Sequence, residues 1–154
     1  MKIYFDTEFT GLTPDAKLIS IGMVTEAGRE FYAEAADTYA ETDCSEFCRQ
    51  VVLPLLEHGE VRAPVADVRE CLRTWLESMG PDVLLVCDCA RDTVQLAALF
   101  PDGIPANCSV EILGVWGNTK RRVFNVGRRL HKKHGWRAHH ALDDARVNRL
   151  VLAR

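Results

Sequence analysis

The chain has 154 residues, of which 47% are hydrophobic and 27% charged, the size and make-up of one soluble globular domain spanning 1–154. A chain of this length buries roughly two-thirds of its unfolded surface, so neither disulfides nor a structural metal is needed to hold a core. The net charge of −3 conceals an asymmetry: residues 1–119 hold 8 Lys and Arg against 20 Asp and Glu, whereas residues 120–154 hold 11 against 2.

No apolar run approaches the roughly 18 residues of a membrane span, and the opening Met1-Lys2-Ile3-Tyr4-Phe5-Asp6 reaches an acid too early for a secretory leader. A cytoplasmic location with no membrane partner is therefore expected. The six scattered cysteines, Cys44, Cys48, Cys71, Cys87, Cys89 and Cys108, then read as reduced thiols.

In chain order, residues 2–5 read as a strand that ends at Asp6 and meets a Gly/Pro-bearing loop, Thr10-Gly11-Leu12-Thr13-Pro14. Residues 17–25 and 30–34 read as a hairpin turning at Gly28, and Gly22 within its first strand marks a close approach of either backbone or substrate. Residues 45–57 read as helical until Pro54, and residues 65–79 place Val68, Leu72, Trp75, Leu76 and Met79 at helical spacing. The apolar run Val83-Leu84-Leu85-Val86-Cys87 has the character of a strand buried on both faces, with Asp88 at its end. Helices are predicted over 92–100, 120–134 and 141–152, and a strand over 109–113. The sum is an α/β domain: a mixed five-stranded sheet with three antiparallel N-terminal strands and helices on both faces.

Asp6 and Glu8, one residue apart on a strand, project to one side because strand side chains alternate. Two such carboxylates repel unless a divalent cation with a taste for hard oxygen sits between them. At the other end, His139-His140-Ala141-Leu142-Asp143-Asp144-Ala145 opens the last helix, and His139 and Asp144 are spaced to face one cavity while Ala141 and Ala145 permit close packing on the sheet. An ordinary helix cap reads equally well from these residues alone. Between Lys120 and Arg137 stand eight Lys and Arg and no acid, a pattern suited to a polyanion. The spacings Cys44-x3-Cys48, Cys87-x-Cys89 and His131-x2-His134 are poor zinc signatures, and structural zinc is not expected. Trp75 reads as core, and Trp136 as a site or subunit contact.

Asp6-Thr7-Glu8-Phe9-Thr10-Gly11-Leu12-Thr13-Pro14 and His139-x-Ala141-Leu142-x-Asp144-Ala145, in this order near the two ends of the chain, resemble the first and last motifs of the DEDD 3'-to-5' exonucleases in their histidine-bearing DEDDh branch. That family includes oligoribonuclease, ribonuclease T and polymerase proofreading exonucleases. Val51-Val52-Leu53-Pro54-Leu55-Leu56 is similar to a segment of small stand-alone bacterial and phage exoribonucleases. The middle motif departs from the usual pattern, because Arg91 stands where Asn and an aromatic residue ordinarily precede the aspartate; Asp92 is the assigned ligand and Asp88 its competitor.

The resemblance implies a ribonuclease H-like fold, possession of two Mg²⁺ or Mn²⁺ ions about 4 Å apart held by Asp6, Glu8, Asp92 and Asp144, and His139 as general base toward the attacking water. The implied activity is stepwise hydrolysis of single-stranded RNA, or DNA, from a free 3' end to nucleoside 5'-monophosphates, in an enzyme often homodimeric. Thr7, Phe9, Thr10, Gly11 and Leu12 would grip the terminal sugar and bases through backbone amides and apolar contact. In the helix over 120–134, Val123, Val126 and Leu130 would face inward and leave Arg121, Arg122, Arg128, Arg129, Lys132 and Lys133 to phosphates. Competing expectations are a DNA-preferring exonuclease and a catalytically silent nucleic-acid-binding module; an internally cutting nuclease or phosphatase would have no use for His139.

Overall fold

The computed structural model describes the backbone of residues 1–113 and 118–153 and the side chains of 1–113 and 124–153. Trp116 and the side chains of Arg121, Arg122 and Val123 lie outside the described residues. The first strand, β1, runs Lys2–Phe9, so Asp6 and Glu8 sit inside it and not past its end. Pairing explains the extension: β1 lies antiparallel to β2, Leu18–Thr25, and Asp6, Thr7 and Glu8 stand opposite Gly22, Ile21 and Ser20. Strand β3, Glu30–Ala35, continues the meander after a turn in which Gly28 adopts φ +90°.

The sheet has six strands, not five, in the order β4-β3-β2-β1-β5-β6. The additional strand, β4, is only Arg62–Ala63, paired parallel to Glu34 and Ala35; two residues ending before Pro64 leave no alternating pattern to read. Strands β5, Val83–Cys87, and β6, Cys108–Ile112, add in parallel on the other side of β1. Residues between β3 and β4 form no regular α-helix: a widened π turn over Cys48–Val52 passes into a tight 3-10 turn over Leu53–Leu55, which tolerates Pro54 in its first turn.

Helices cover both faces. Helix α1, Val65–Glu77, buries Val68, Leu72 and Leu76 against Ile3, Phe5 and Leu85, joined by Leu96 and Leu99 of α2, Ala90–Leu99. Each fully buried leucine here contributes about 2 kcal/mol by leaving water. Trp75 packs against this cluster, 5.6 Å from Phe31 between ring centres. Tyr4, which alternation turns to the opposite face, meets α4, Ala141–Leu152, through Val147, Val151 and Leu152, with Val126 and Leu130 of α3, Asn118–His134, packed behind. Trp136 belongs to this second cluster and stacks on His134 at 4.4 Å. A third cluster, Ile19 with Cys44, Cys48 and Val52, pins the 41–56 segment onto β2. All six cysteines are unpaired thiols. Among the described residues, no helix is long and apolar enough to cross a membrane.

Helix α4 lies against β1 and β2 closely enough that a Cβ on Gly22 would fall 2.3 Å from the Leu142 nitrogen and 2.4 Å from the Ala141 carbonyl carbon. Of the two readings of Gly22, close backbone approach is the one observed. Ala141 and Ala145, both fully buried, complete that contact.

Candidate metal and active site

The alternation that turns Tyr4 toward α4 turns Asp6 and Glu8 the same way. Thr7 points to the opposite side, where its amide nitrogen and hydroxyl both donate to Asp92 Oδ1, at 3.0 and 2.6 Å. Asp92 thus enters the site from the first turn of α2, just after β5, while Asp88 sits in the β5–α2 connection. Ligand oxygens of Asp6, Asp88 and Asp92 lie within 4.8 Å of one another, and so do ligand atoms of Glu8, His139 and Asp144. The sequence expectation that set Asp92 against Asp88 resolves into both being present at Asp6.

Burial and mutual repulsion shape the electrostatics. Burial first, then the charges of Asp92, Asp144, Glu8 and Asp88, hold the Asp6 carboxyl well above the usual range. Glu8 is raised for the same reasons, by burial and then by Asp144 and Asp92. Burial pushes Asp92 up to about 7 despite the opposing hydrogen bonds from Thr7, with the Asp88 charge adding to the rise. Its Oδ2 is buried with no hydrogen-bond partner. An orphaned carboxylate oxygen among crowded acids is the situation a divalent cation relieves, and an all-oxygen set suits Mg²⁺ or Mn²⁺.

The loop before α4 holds His139 with φ 66°, a left-handed conformation that is costly outside glycine. Its neighbours hold it there. The His139 amide donates to Asp144 Oδ2 at 2.8 Å. Arg137 anchors the loop, its amide and Nε donating to Asp143 Oδ2 at 3.0 and 2.7 Å and its guanidinium to Glu57 Oε1 at 2.8 Å. Arg146 also donates to Asp143, which the Arg137 contacts keep below the usual carboxylate range against the effect of burial. His140, buried, stacks on Tyr32 at 4.5 Å. The His139 residue is exposed, with the Phe47 ring edge-on to its imidazole at 5.0 Å.

Sequence reasoning missed His131. It projects from α3 to place Nε2 2.8 Å from Asp144 Oδ1, a contact that raises the pKa of its imidazole. Its partner is 13 positions away across a helix-helix packing, so no local pattern announces it.

Two cavities meet at these residues, and Asp6, Asp88, His139 and Asp144 line both. The larger, about 730 Å³, is a mainly apolar groove walled by Phe9, Gly11 and Leu12 on one side and Phe47, Cys48 and Val52 on the other. Leu12 is 73% exposed at its rim. The smaller, about 260 Å³, is walled by α3. Thr7 lines the groove, yet its amide and hydroxyl are taken by Asp92; Thr10 is buried, with its amide donating to the Lys17 carbonyl and its hydroxyl accepting from the Lys17 amide. Those two amides are therefore structural donors, not free ones for a sugar. Trp136 does not line either cavity. No protein-family model matches the chain, and no curated protein matches it significantly.

Proposed function

We propose that this chain is a metal-dependent 3'-to-5' exonuclease of the DEDDh type with a ribonuclease H-like fold, acting on single-stranded nucleic acid, RNA in preference to DNA. The observation that carries this reading is the convergence of Asp6, Glu8, Asp92 and Asp144 with His139, in two adjoining clusters of which Asp6, His139 and Asp144 line both cavities. The Asp6-to-Leu12 and His139-to-Ala145 motifs give the reading its specificity.

In this mechanism Asp6, Glu8, Asp92 and Asp144 would hold two Mg²⁺ or Mn²⁺ ions, with Asp88 beside Asp92 on the Asp6 side. When bound, such ions would supply Lewis-acid activation of water and would offset charge on the attacking and leaving oxygens. An imidazole nitrogen of His139 takes the proton of the attacking water, the role of a histidine general base. The water oxygen bonds to phosphorus, the phosphorus bond to the 3'-oxygen of the preceding nucleotide breaks, and that oxygen leaves to be protonated. The apolar walls of Phe9, Leu12 and Phe47 hold the terminal nucleotide without reading its sequence. The acidic and basic parts of the chain then have separate tasks, cations for the first and strand phosphates for the second.

The test is incubation of the purified protein with 5'-labelled single-stranded RNA and matching DNA, in Mg²⁺, in Mn²⁺ and in chelator. A metal-dependent ladder shortening from the 3' end, abolished by a blocked 3' terminus, is expected. Salt-sensitive binding without cleavage would replace the enzyme by a silent binding module.

A further inference from the structure

The smaller cavity carries a feature that the carboxylates and His139 do not require. Val126 and Leu130 turn toward the sheet, whereas Phe124 and Arg128, one helical turn apart on α3, turn toward the cavity. Phe124 is 65% exposed, an aromatic ring on an otherwise basic helix surface. The Arg128 guanidinium lies over that ring, 6.0 Å from its centre. At Gly127, between them, a Cβ would stand 3.2 Å from Val147 Cγ1, so close packing on α4 holds this stretch of α3 at the cavity wall.

We propose that Phe124 and Arg128 form the subsite for the nucleotide immediately 5' to the scissile phosphodiester, the base stacking on Phe124 and the phosphate pairing with Arg128. This inference rests on the function proposed above. Charge decides which cavity takes which side of the strand. The terminal nucleotide needs only enclosure, which the larger, apolar groove provides. The continuing strand brings a negative charge with every residue, and α3 offers exposed Arg129, Lys132 and Lys133 beyond Arg128 and bears no acid. An aromatic face beside a cation is the recurring platform for a single-stranded base and its phosphate, and it is indifferent to base identity.

The test crosses a protein change with a substrate change. The wild type should lose about 10-fold in kcat/KM when the penultimate nucleotide of a short RNA is made abasic, and Phe124→Ala should lose about 10-fold on the intact RNA, as expected for one stacked base. The two losses should not multiply: Phe124→Ala should treat intact and abasic RNA alike. Phe124→Tyr should restore the wild-type pattern, which separates stacking from a folding defect. Arg128→Gln should flatten the dependence of log affinity on log salt by about one unit of slope. Multiplying losses, or an unchanged salt slope, would overturn the subsite while leaving the nuclease intact. Failure of the wild-type protein to shorten any strand would overturn the function beneath it.

Discussion

His131 Nε2 meets Asp144 Oδ1 at 2.8 Å, while the His139 amide holds Asp144 Oδ2 at the same distance. Both oxygens of one carboxylate are thus oriented from outside its own side chain, one by α3 and one by the loop before α4. Groups that orient a metal ligand typically govern metal affinity by about 10- to 100-fold. His131→Ala should raise the half-saturating Mg²⁺ concentration by about 10-fold or more. His131→Gln, which keeps a nitrogen donor near Nε2, should recover part of the loss. Metal titrations by calorimetry and by turnover should agree; an unchanged Mg²⁺ requirement in His131→Ala would show that Asp144 needs no such support.

Asp6→Asn and Asp144→Asn should each abolish turnover with the fold intact by circular dichroism, since each removes a ligand charge at nearly constant volume. Asp92→Asn should do the same, because its buried Oδ2 has no other partner. Asp88→Asn should cost less, about 10-fold, acting through Asp6 and Asp92. Near-wild-type rates in both Asp88→Asn and Asp92→Asn would remove the middle acids from the site.

The raised carboxyls also set a pH dependence in the absence of metal. Asp92 rises from an ordinary value of 3.8 to about 7, and Asp6 and Glu8 are displaced in the same direction. A group with a raised folded-state pKa contributes stability below its unfolded pKa and loses it as pH climbs through the folded value. In chelator, melting temperature should therefore decline between about pH 4 and pH 7 more steeply in the wild type than in Asp92→Asn. Saturating Mg²⁺ should stabilise most at the alkaline end, where the acids are charged. Parallel curves for the two proteins would contradict the burial of Asp92 as a charged group.

Gly22→Ala should be severely destabilising, by about 3 kcal/mol or more, because the colliding atoms are the backbone of α4 and cannot rotate away. If chemical denaturation found a change under about 1 kcal/mol, α4 would have to sit further from β2 than described.

The elements with a strong period or a long apolar run were legible in the sequence: β2, β5, α1 and α4 differ from their expected bounds by at most about two residues. Their ends were legible where a glycine or proline marks them. Asp6 was misplaced to the end of a strand because an acid and two threonines carry no apolar alternation; the pairing with β2 that extends β1 through Phe9 is a tertiary fact. Strand β4 was invisible at two residues. The acids and the histidine that the structure brings together were legible as short motifs, but the residues that hold them were not. His131, Phe47 and the Arg137–Asp143–Glu57 anchor join segments far apart in the chain, and only packing brings them together.

The left-handed backbone at His139 sets two selective demands against each other. That conformation costs about 1 kcal/mol in any residue with a Cβ, and the cost is borne at folding and not at each turnover. His139→Gly should thus match or exceed the wild type in thermal stability, by up to about 1 kcal/mol, while removing the imidazole proposed as general base. Selection for robustness alone would drift toward glycine at this position. A histidine there keeps an imidazole within reach of Glu8 and Asp144 at the expense of backbone ease.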